Sequence, residues 1–388
     1  MRVVVSVGGT WHAPHLSYQL QNRGALERIF TVTPPARFQT RAAIDRRRIT
    51  WIPYPELVGV RLPHLLRIPK SLYSGSLYRH AVAFDKCVSL EIRRLPFDLF
   101  NAFAWYGLEC LNVCKLRGIP TIIERGSAHT LARQSILAEE YQRLNCGHLY
   151  RGLDPQIIER ELHEYALADY VSVPSQFAVQ SFLDQGFPRN KLLHIPYGVD
   201  TERFRPLSED SPRDFRVLTV GNLGVEKGTG YLLDSLELLR GLDIDLAMVG
   251  TLDAYITQRL QQTGVSWISG GAVPQSELVN WYHNASVYCL LSVQEGMSMT
   301  VLEAMACGVP VIASTSTGAA DFITDGVDGF LVEPRDVQSV AEKLKRLYLD
   351  SDLRRCIGSA ARRRALELTW DVYGTRLAET YSGIVCTD

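Results

Sequence analysis

Residues 286–314 read SVYCLLSVQEGMSMTVLEAMACGVPVIAS, and this stretch decides the fold class. SVYCLLS is an apolar run too short for a buried helix, and PVIAS is a second run of the same kind. Between them TVLEAMACG spaces its apolar residues as a helix does and stops at a glycine. The order is therefore strand, loop, helix, strand, and two strands joined through a helix run parallel. Working outward, the same unit recurs in RVVVSVG (2–8) before HLSYQLQNRG, FDLFNAF (97–103) before LECLNVCKLRG, TII (121–123), and DYVSVP (169–174) before SQFAVQSFLDQG. Beyond residue 214 come FRVLTVGNLGVEKGTGYLLDSLELLRG, DLAMVG, VSWISG with SELVNWYHNA, and the late helix DVQSVAEKLKRLYLD. The expected class is α/β, with doubly wound parallel sheets.

The chain has 388 residues, enough for two domains of ordinary size. Between the two series of units, IPYGVDTERFRPLSEDSPRD (195–214) concentrates proline, glycine and charge, which predicts a first unit over 1–198 and a second over 199–369. Ligands on open α/β sheets bind beyond the carboxyl ends of the strands, so two such sheets facing each other predict a site in the crevice between them.

Composition narrows the class. With 46% hydrophobic and 21% charged residues the chain is neither disordered nor a membrane bundle. We find no uncharged apolar run long enough to span a bilayer and no cleavable leader pattern, so a cytoplasmic location is expected. The eight cysteines form no C-x-x-C pair, which argues against structural zinc and for a reducing compartment. Net charge is −1, yet residues 1–199 carry 24 basic against 16 acidic side chains. A basic front half suits an anionic membrane face or an anionic acceptor. Arg46, Arg47 and Arg48, and RLPHLLRIPKSLYSGSLYRH (61–80), are the candidate peripheral membrane contacts, and no nucleic-acid recognition motif accompanies them.

Glu295 and Glu303 stand in the opening stretch with seven residues between them, Gly296 permitting a close turn and Thr300 in the first turn of the helix that carries Glu303. Both carboxylates are expected to face one crevice. A carboxylate accepts two hydrogen bonds and suits neighbouring hydroxyls, while amides at a helix start, here Gly296, Met297, Ser298, Met299 and Thr300, suit phosphate. VGNLGVEKG (220–228) sets Asn222 and Lys227 between a strand and a helix, but its order is not that of a Walker loop. SVGGTWHAPHL (6–16) offers a bare backbone at Gly9 and two histidines, His12 and His15, without a third ligand nearby. TIIERGSAHTLARQ (121–134) gathers Glu124, Arg125 and His129 just past a strand, where a carboxylate could orient a histidine or a substrate hydroxyl. Asp243 and Asp245 form a D-x-D at the wrong end of their strand for a metal-bound diphosphate.

E-GMSMTVL-E with AMACGVPVIAS behind it resembles the signature of the retaining GT-B glycosyltransferases of family four. The resemblance implies a GT-B architecture with an acceptor-binding first domain, a nucleotide-sugar-binding second domain, and a final helix, about 370–388 and beginning at Trp370, that crosses back to the first. It implies Glu295 on the donor sugar and Glu303 on the nucleotide ribose. VGNLGVEKG is similar to the family's G-R-x-x-x-x-K-G, which implies Lys227 on the diphosphate, with Asn222 standing where arginine is usual. Many members carry a histidine soon after the TII strand, which points to His129 beside Glu295 and Lys227 as catalytic; Gly9 lies across the cleft, and His12, Glu124 and Arg125 are acceptor-side candidates. The implied activity is metal-independent transfer of a hexose from a UDP- or GDP-linked donor to a hydroxyl of a glycan or lipid-linked acceptor, with no cofactor. A catalytically silent sugar-nucleotide-binding subunit and a nucleotide-sugar epimerase or hydrolase remain the alternatives.

Overall fold

The computed structural model describes residues 1–39, 42–53, 76–207 and 214–386. Most of the basic stretch 61–80 therefore lies outside the described residues. The first sheet has seven parallel strands in the order β3-β2-β1-β4-β5-β6-β7. These are β1 (Val3–Val7), β2 (Leu26–Thr31), β3 (Ile49–Trp51), β4 (Leu99–Phe103), β5 (Thr121–Glu124), β6 (Tyr170–Val173) and β7 (Leu192–His194). The second has six, in the order β10-β9-β8-β11-β12-β13. They are β8 (Phe215–Leu223), β9 (Ile244–Leu252), β10 (Trp267–Gly271), β11 (Val287–Leu290), β12 (Val311–Ser314) and β13 (Phe330–Val332). Each order reverses once, between β1 and β4 and between β8 and β11, and at such a reversal the loops after the strands part and open a crevice. The α/β expectation of two doubly wound parallel sheets therefore holds.

The central strands are buried on both faces, which is why they read as unbroken apolar runs rather than alternating ones. Val3, Val4, Val5 and Val7 are fully buried, as are Leu99, Phe100 and Ala102. Strands β2, β3, β7 and β13 are additional to those read from the sequence. LERIFT places Glu27 and Arg28 in the middle of β2, where both are half-buried, and this hides a strand that pairs with β1 along its whole length.

The chain crosses between the sheets at two points that touch. A Cβ on Gly198 would stand 2.5 Å from the backbone of Thr369 and Trp370, so only glycine allows the two segments to meet, and Val199 N donates to Leu368 O at 2.9 Å. The last helix, Trp370–Cys386, lies against Ala13–Asn22 (α1), with Arg23 Nη2 on Asp371 Oδ1 and Thr375 Oγ1, each at 3.0 Å. His15 stacks on Trp370 at 4.0 Å, which makes it a packing residue of this crossing. Among the described residues no helix is long and apolar enough to cross a membrane.

Candidate active site

The loop that follows β8 is built on glycines. Gly221 and Gly250 pair in register, and a Cβ on Gly250 would stand 1.8 Å from Gly221 O. The turn beyond is braced by Asp253, whose carboxylate accepts from Val225 N at 3.1 Å and Ile256 N at 2.8 Å. Gly228 has φ 63° and presses on Leu291 O, where a Cβ would come within 2.0 Å; a glycine must therefore follow the lysine. This path delivers Lys227 Nζ to Glu295 Oε2 as an ion pair across the β8–β11 reversal. Ser292 Oγ donates to the same carboxylate at 3.0 Å. Asn222 is not drawn in. It is exposed, its side-chain oxygen accepts from Thr251 Oγ1 at 2.8 Å, and it is absent from the cavity wall.

The helix after Glu295 runs Met299–Ala306, with Thr300 in its first turn as expected. Thr300 Oγ1 bonds Tyr288 Oη at 2.6 Å and Ser298 Oγ at 2.9 Å. Glu303 is buried, accepting from Tyr282 Oη at 2.9 Å and Gln275 Nε2 at 3.1 Å. Burial, reinforced by the Glu303 charge, pushes the Tyr282 phenol well above its ordinary value and keeps it a donor. The two carboxylates face adjoining parts of the cleft rather than a single recess. Glu295 lines the main cavity, whereas Glu303 lines a smaller adjoining recess with Asp200, Arg203 and Gln275; Trp11 and Met299 wall both. The reason is helical geometry: Glu295 precedes the helix, while Glu303 sits more than a turn inside it. Of the expected phosphate amides, that of Ser298 already donates to Thr317 O at 3.1 Å. Gly296 has a different task. A Cβ there would stand 2.0 Å from Gly126 O, so this glycine lets the second unit's loop rest on the first unit's backbone, and Met297 Sδ accepts from Tyr197 N at 3.2 Å beside it.

The main cavity, about 400 Å³, is walled on the first unit's side by Trp11, His12, Phe103, Trp105, Glu124, Arg125 and Tyr197 and on the other by Glu226, Gln294, Glu295 and Met297. His12 Nε2 lies 3.5 Å from Glu124 Oε2. Glu124 is buried and accepts from Asn101 Nδ2 at 3.0 Å and from Tyr381 Oη, on the last helix, at 3.2 Å. Burial pushes its pKa up, but the bonds from His12, Asn101 and Ser172 outweigh that and hold the carboxyl below its ordinary value. Arg125 is buried too, with Nη1 on Glu161 at 2.9 Å and Nε on Ala128 O at 3.0 Å.

Besides Asn222 and Glu303, other expected residues fall outside this wall: Lys227 reaches it only through its pair with Glu295, and neither His129 nor Gly9 lines it. His129 caps the helix Thr130–Arg143, with Nδ1 accepting from Leu131 N at 3.3 Å, and its ring packs on Phe182 and Tyr165. Burial pulls its pKa down to about 4. The chain turns at Gly126 against the opposing loop, and three residues later it has left the cavity, so His129 is a helix cap rather than a cavity residue. Gly9 is not a wall residue either: a Cβ there would stand 3.1 Å from the Trp11 ring, and the forced glycine is Gly8, where a Cβ would enter the Tyr106 ring.

Several wall residues escaped the sequence reading. Arg133 reaches from the first unit to Glu226 through Nε at 3.2 Å and Nη2 at 3.0 Å. Gln294 Nε2 donates to Glu226 Oε1 at 2.5 Å, and Gln294 Oε1 accepts from Ser127 Oγ at 2.9 Å. This clasp closes the two units over the cavity. Glu226 and Gln294 directly precede Lys227 and Glu295, a positional signal; Arg133 and Trp105 carry none. Asp245 pairs with Arg216 Nη2 at 3.2 Å at the start of its strand, away from the cavity.

The family model described as Glycosyl transferases group 1 matches residues 200–364, and that described as Glycosyltransferase Family 4 matches residues 7–203. The chain is 32% identical over 391 residues to the MMP alpha-(1->4)-mannosyltransferase of Mycolicibacterium hassiacum, a match covering 95% of this chain and 92% of that protein. It is also 32% identical over 250 residues to the sulfoquinovosyl transferase SQD2 of Arabidopsis thaliana, covering 59% of this chain but only 47% of the plant protein. Among solved structures, Anabaena HepE in complex with UDP-glucose superposes with a TM-score of 0.69 at 18% identity, over 99% of this chain and 100% of that one. The two facing sheets are thus the GT-B architecture.

Proposed function

The chain belongs to glycosyltransferase family 4, the group 1 glycosyl transferases, and from that premise we propose that it transfers a hexose from a UDP- or GDP-linked donor to a hydroxyl of a glycan or lipid-linked acceptor, with retention at the anomeric carbon and without a metal. The observation that carries this reading is the Lys227–Glu295 ion pair at the edge of the cavity, facing a first-unit wall of aromatic and hydrogen-bonding side chains. An entering diphosphate offers Lys227 a second anion, and Glu295 then has oxygens to spare for two adjacent sugar hydroxyls. Glu303, already held by Tyr282 and Gln275, presents its remaining lone pairs to the ribose.

In the reaction so assigned, the acceptor oxygen bonds to the anomeric carbon on the face the leaving group departs from. The bond to the diphosphate oxygen breaks, and the acceptor proton passes to the diphosphate. Lys227 stabilises the charge that grows there, and it does so best in a cavity shielded from water. The contact of Gly296 with Gly126 and the Arg133–Glu226–Gln294 clasp supply that shielding. His12 and Glu124 sit on the opposite wall, where they would orient the acceptor hydroxyl. The mannosyltransferase name of one relative and the UDP-glucose bound to one structural neighbour support a nucleotide-hexose donor. Contact with an anionic membrane would fall on the turn of Arg46 and Arg47, both exposed, beside exposed Trp51.

Thermal stabilisation by UDP, GDP, ADP and their common sugar conjugates tests the donor, because a ligand that binds only the folded state raises the melting temperature. Stabilisation by one base, lost in Glu303→Ala, is expected. Indifference to every nucleotide would refute the reading, and NMR of the product's anomeric proton decides retention.

A further inference from the structure

Trp105 has φ 82°, a left-handed conformation that a bulky side chain adopts only where its surroundings impose it. One helix, Pro155–Leu167, imposes it. Glu164 accepts from the backbone N–H of Trp105 at 2.7 Å and of Gly107 at 2.9 Å; Arg160 Nε donates to Trp105 O at 2.7 Å; and Glu161 Oε2 accepts from the indole N–H at 2.7 Å. Three buried polar side chains on one helix thus hold the backbone donor, the backbone acceptor and the ring nitrogen of a single tryptophan. The cost is visible, since burial raises the Glu164 carboxyl to about 8. Strain and buried charge of this kind are retained where a loop must present a side chain in one position, and Trp105 lines the main cavity.

The same helix also sets Arg125. Glu161 pairs with its Nη1, Ala128 O takes its Nε, and its Nη2 is buried with no hydrogen-bond partner among the described residues, although Arg125 is only 7% exposed and lines the cavity beside Trp105. A buried donor left open costs stability unless something else accepts from it. The cations in and beside this wall each hold a carboxylate among the described residues: Arg125 with Glu161, Arg133 with Glu226 and Lys227 with Glu295. On the first unit's side, away from Lys227, an anion would meet the Glu124 carboxylate, while Arg125 and Arg133 there already hold carboxylates.

We propose that Trp105 and Arg125 form the acceptor-sugar subsite, and that it takes an uncharged pyranose whose ring packs on the indole beside the Arg125 guanidinium. This deepens the transferase reading above and rests on it for the word acceptor. The subsite excludes the acidic acceptor that the basic front half suggested.

The test measures binding of the methyl glycosides of glucose, galactose, mannose and N-acetylglucosamine, with glucose 6-phosphate as the charged probe, by saturation-transfer NMR and calorimetry on the full chain. UDP and GDP affinities are measured alongside. Trp105→Gly is the leading variant, because glycine adopts this φ without strain and the fold should survive; Arg125→Lys keeps the charge facing Glu161 while losing the planar fork. At least one uncharged glycoside should bind the native chain, bind at least ten-fold more weakly to Trp105→Gly and more weakly to Arg125→Lys, and bind more tightly than glucose 6-phosphate. Nucleotide affinity should stay within about two-fold in both variants. The proposal is overturned if no glycoside binds, if Trp105→Gly binds as well as the native chain, if the phosphorylated sugar binds best, or if nucleotide affinity falls in step with glycoside affinity. Should nucleotides fail to bind the native chain while glycoside binding still depends on Trp105, the donor reading fails and the sugar subsite stands.

Discussion

The two walls of the cleft are built on different plans. On the second unit's side Lys227, Glu295 and Glu303 come from two short, contiguous stretches, each made possible by a glycine whose missing side chain lets backbone approach backbone, as at Gly228 against Leu291 and Gly296 against Gly126. On the first unit's side the wall is gathered from distant segments: Trp11 and His12 after β1, Phe103 and Trp105 after β4, Glu124 and Arg125 at β5, Tyr197 near the crossing. What orders them lies behind the wall, in the buried charges of the helix 155–167 and in Tyr381 of the last helix. The wall proposed for the diphosphate and ribose is compact in sequence. The wall proposed for the acceptor draws on the loops after β1, β4, β5 and β7.

The sharpest way to break this comparison is at the wall proposed for the donor. Lys227→Ala and Glu295→Ala should each lower the rate of sugar transfer by about a hundred-fold or more, as loss of a group acting on developing charge does, measured as initial rates at saturating donor. Losses below ten-fold would move the reacting centre elsewhere. Glu303→Ala should weaken nucleotide binding about ten-fold, the size of one charge-assisted hydrogen bond, with calorimetry as the readout and a smaller effect on the rate with saturating donor.

The first wall predicts a separation of stability from activity at His129. Its ordinary pKa is 6.5 and burial lowers it to about 4, and its Nδ1 must be unprotonated to accept from Leu131 N. Between those values the unfolded chain binds a proton that the folded chain refuses. The histidine's contribution is therefore complete above pH 6.5 and lost as pH falls towards 4. His129→Asn caps without titrating, so urea denaturation should show a native chain that loses about 2 kcal/mol more than the variant across that window. Transfer at neutral pH should change little in the variant; a large loss would return His129 to the reacting centre. The smallest effect is expected at Asn222→Ala, which removes an exposed bond to Thr251 and should leave nucleotide affinity within about two-fold.

Legibility followed the same division. The helix bearing Glu303, the turn bearing Lys227, and the strands β1, β4, β5, β6 and β8 to β12 are all announced by local pattern, because central parallel strands are continuous apolar runs and tight loops demand glycine. Edge strands such as β3, half-buried β2 with its Glu27 and Arg28, and the charged helix 155–167 are not, because their residues are chosen for partners far along the chain. His129 illustrates the limit. A histidine three residues past Gly126 is as compatible with a cleft as with a helix cap, and only the path of the backbone decides between them.

By itself, then, the amino-acid sequence determined the two βα series, the motifs whose resemblance implies the GT-B architecture, and the local settings of Lys227, Glu295 and Glu303, since these settings depend on spacing over fewer than about ten residues, the range in which backbone geometry alone sets neighbours. Only the tertiary structure decided that Glu295 and Glu303 line adjoining recesses, that Asn222 and His129 stand aside, and that Trp105 and Arg125 are held at the wall by Arg160, Glu161 and Glu164. Those facts are relations between segments brought together by burial of apolar surface and closed by buried hydrogen bonds, and no local pattern records which distant partner a charged side chain will find.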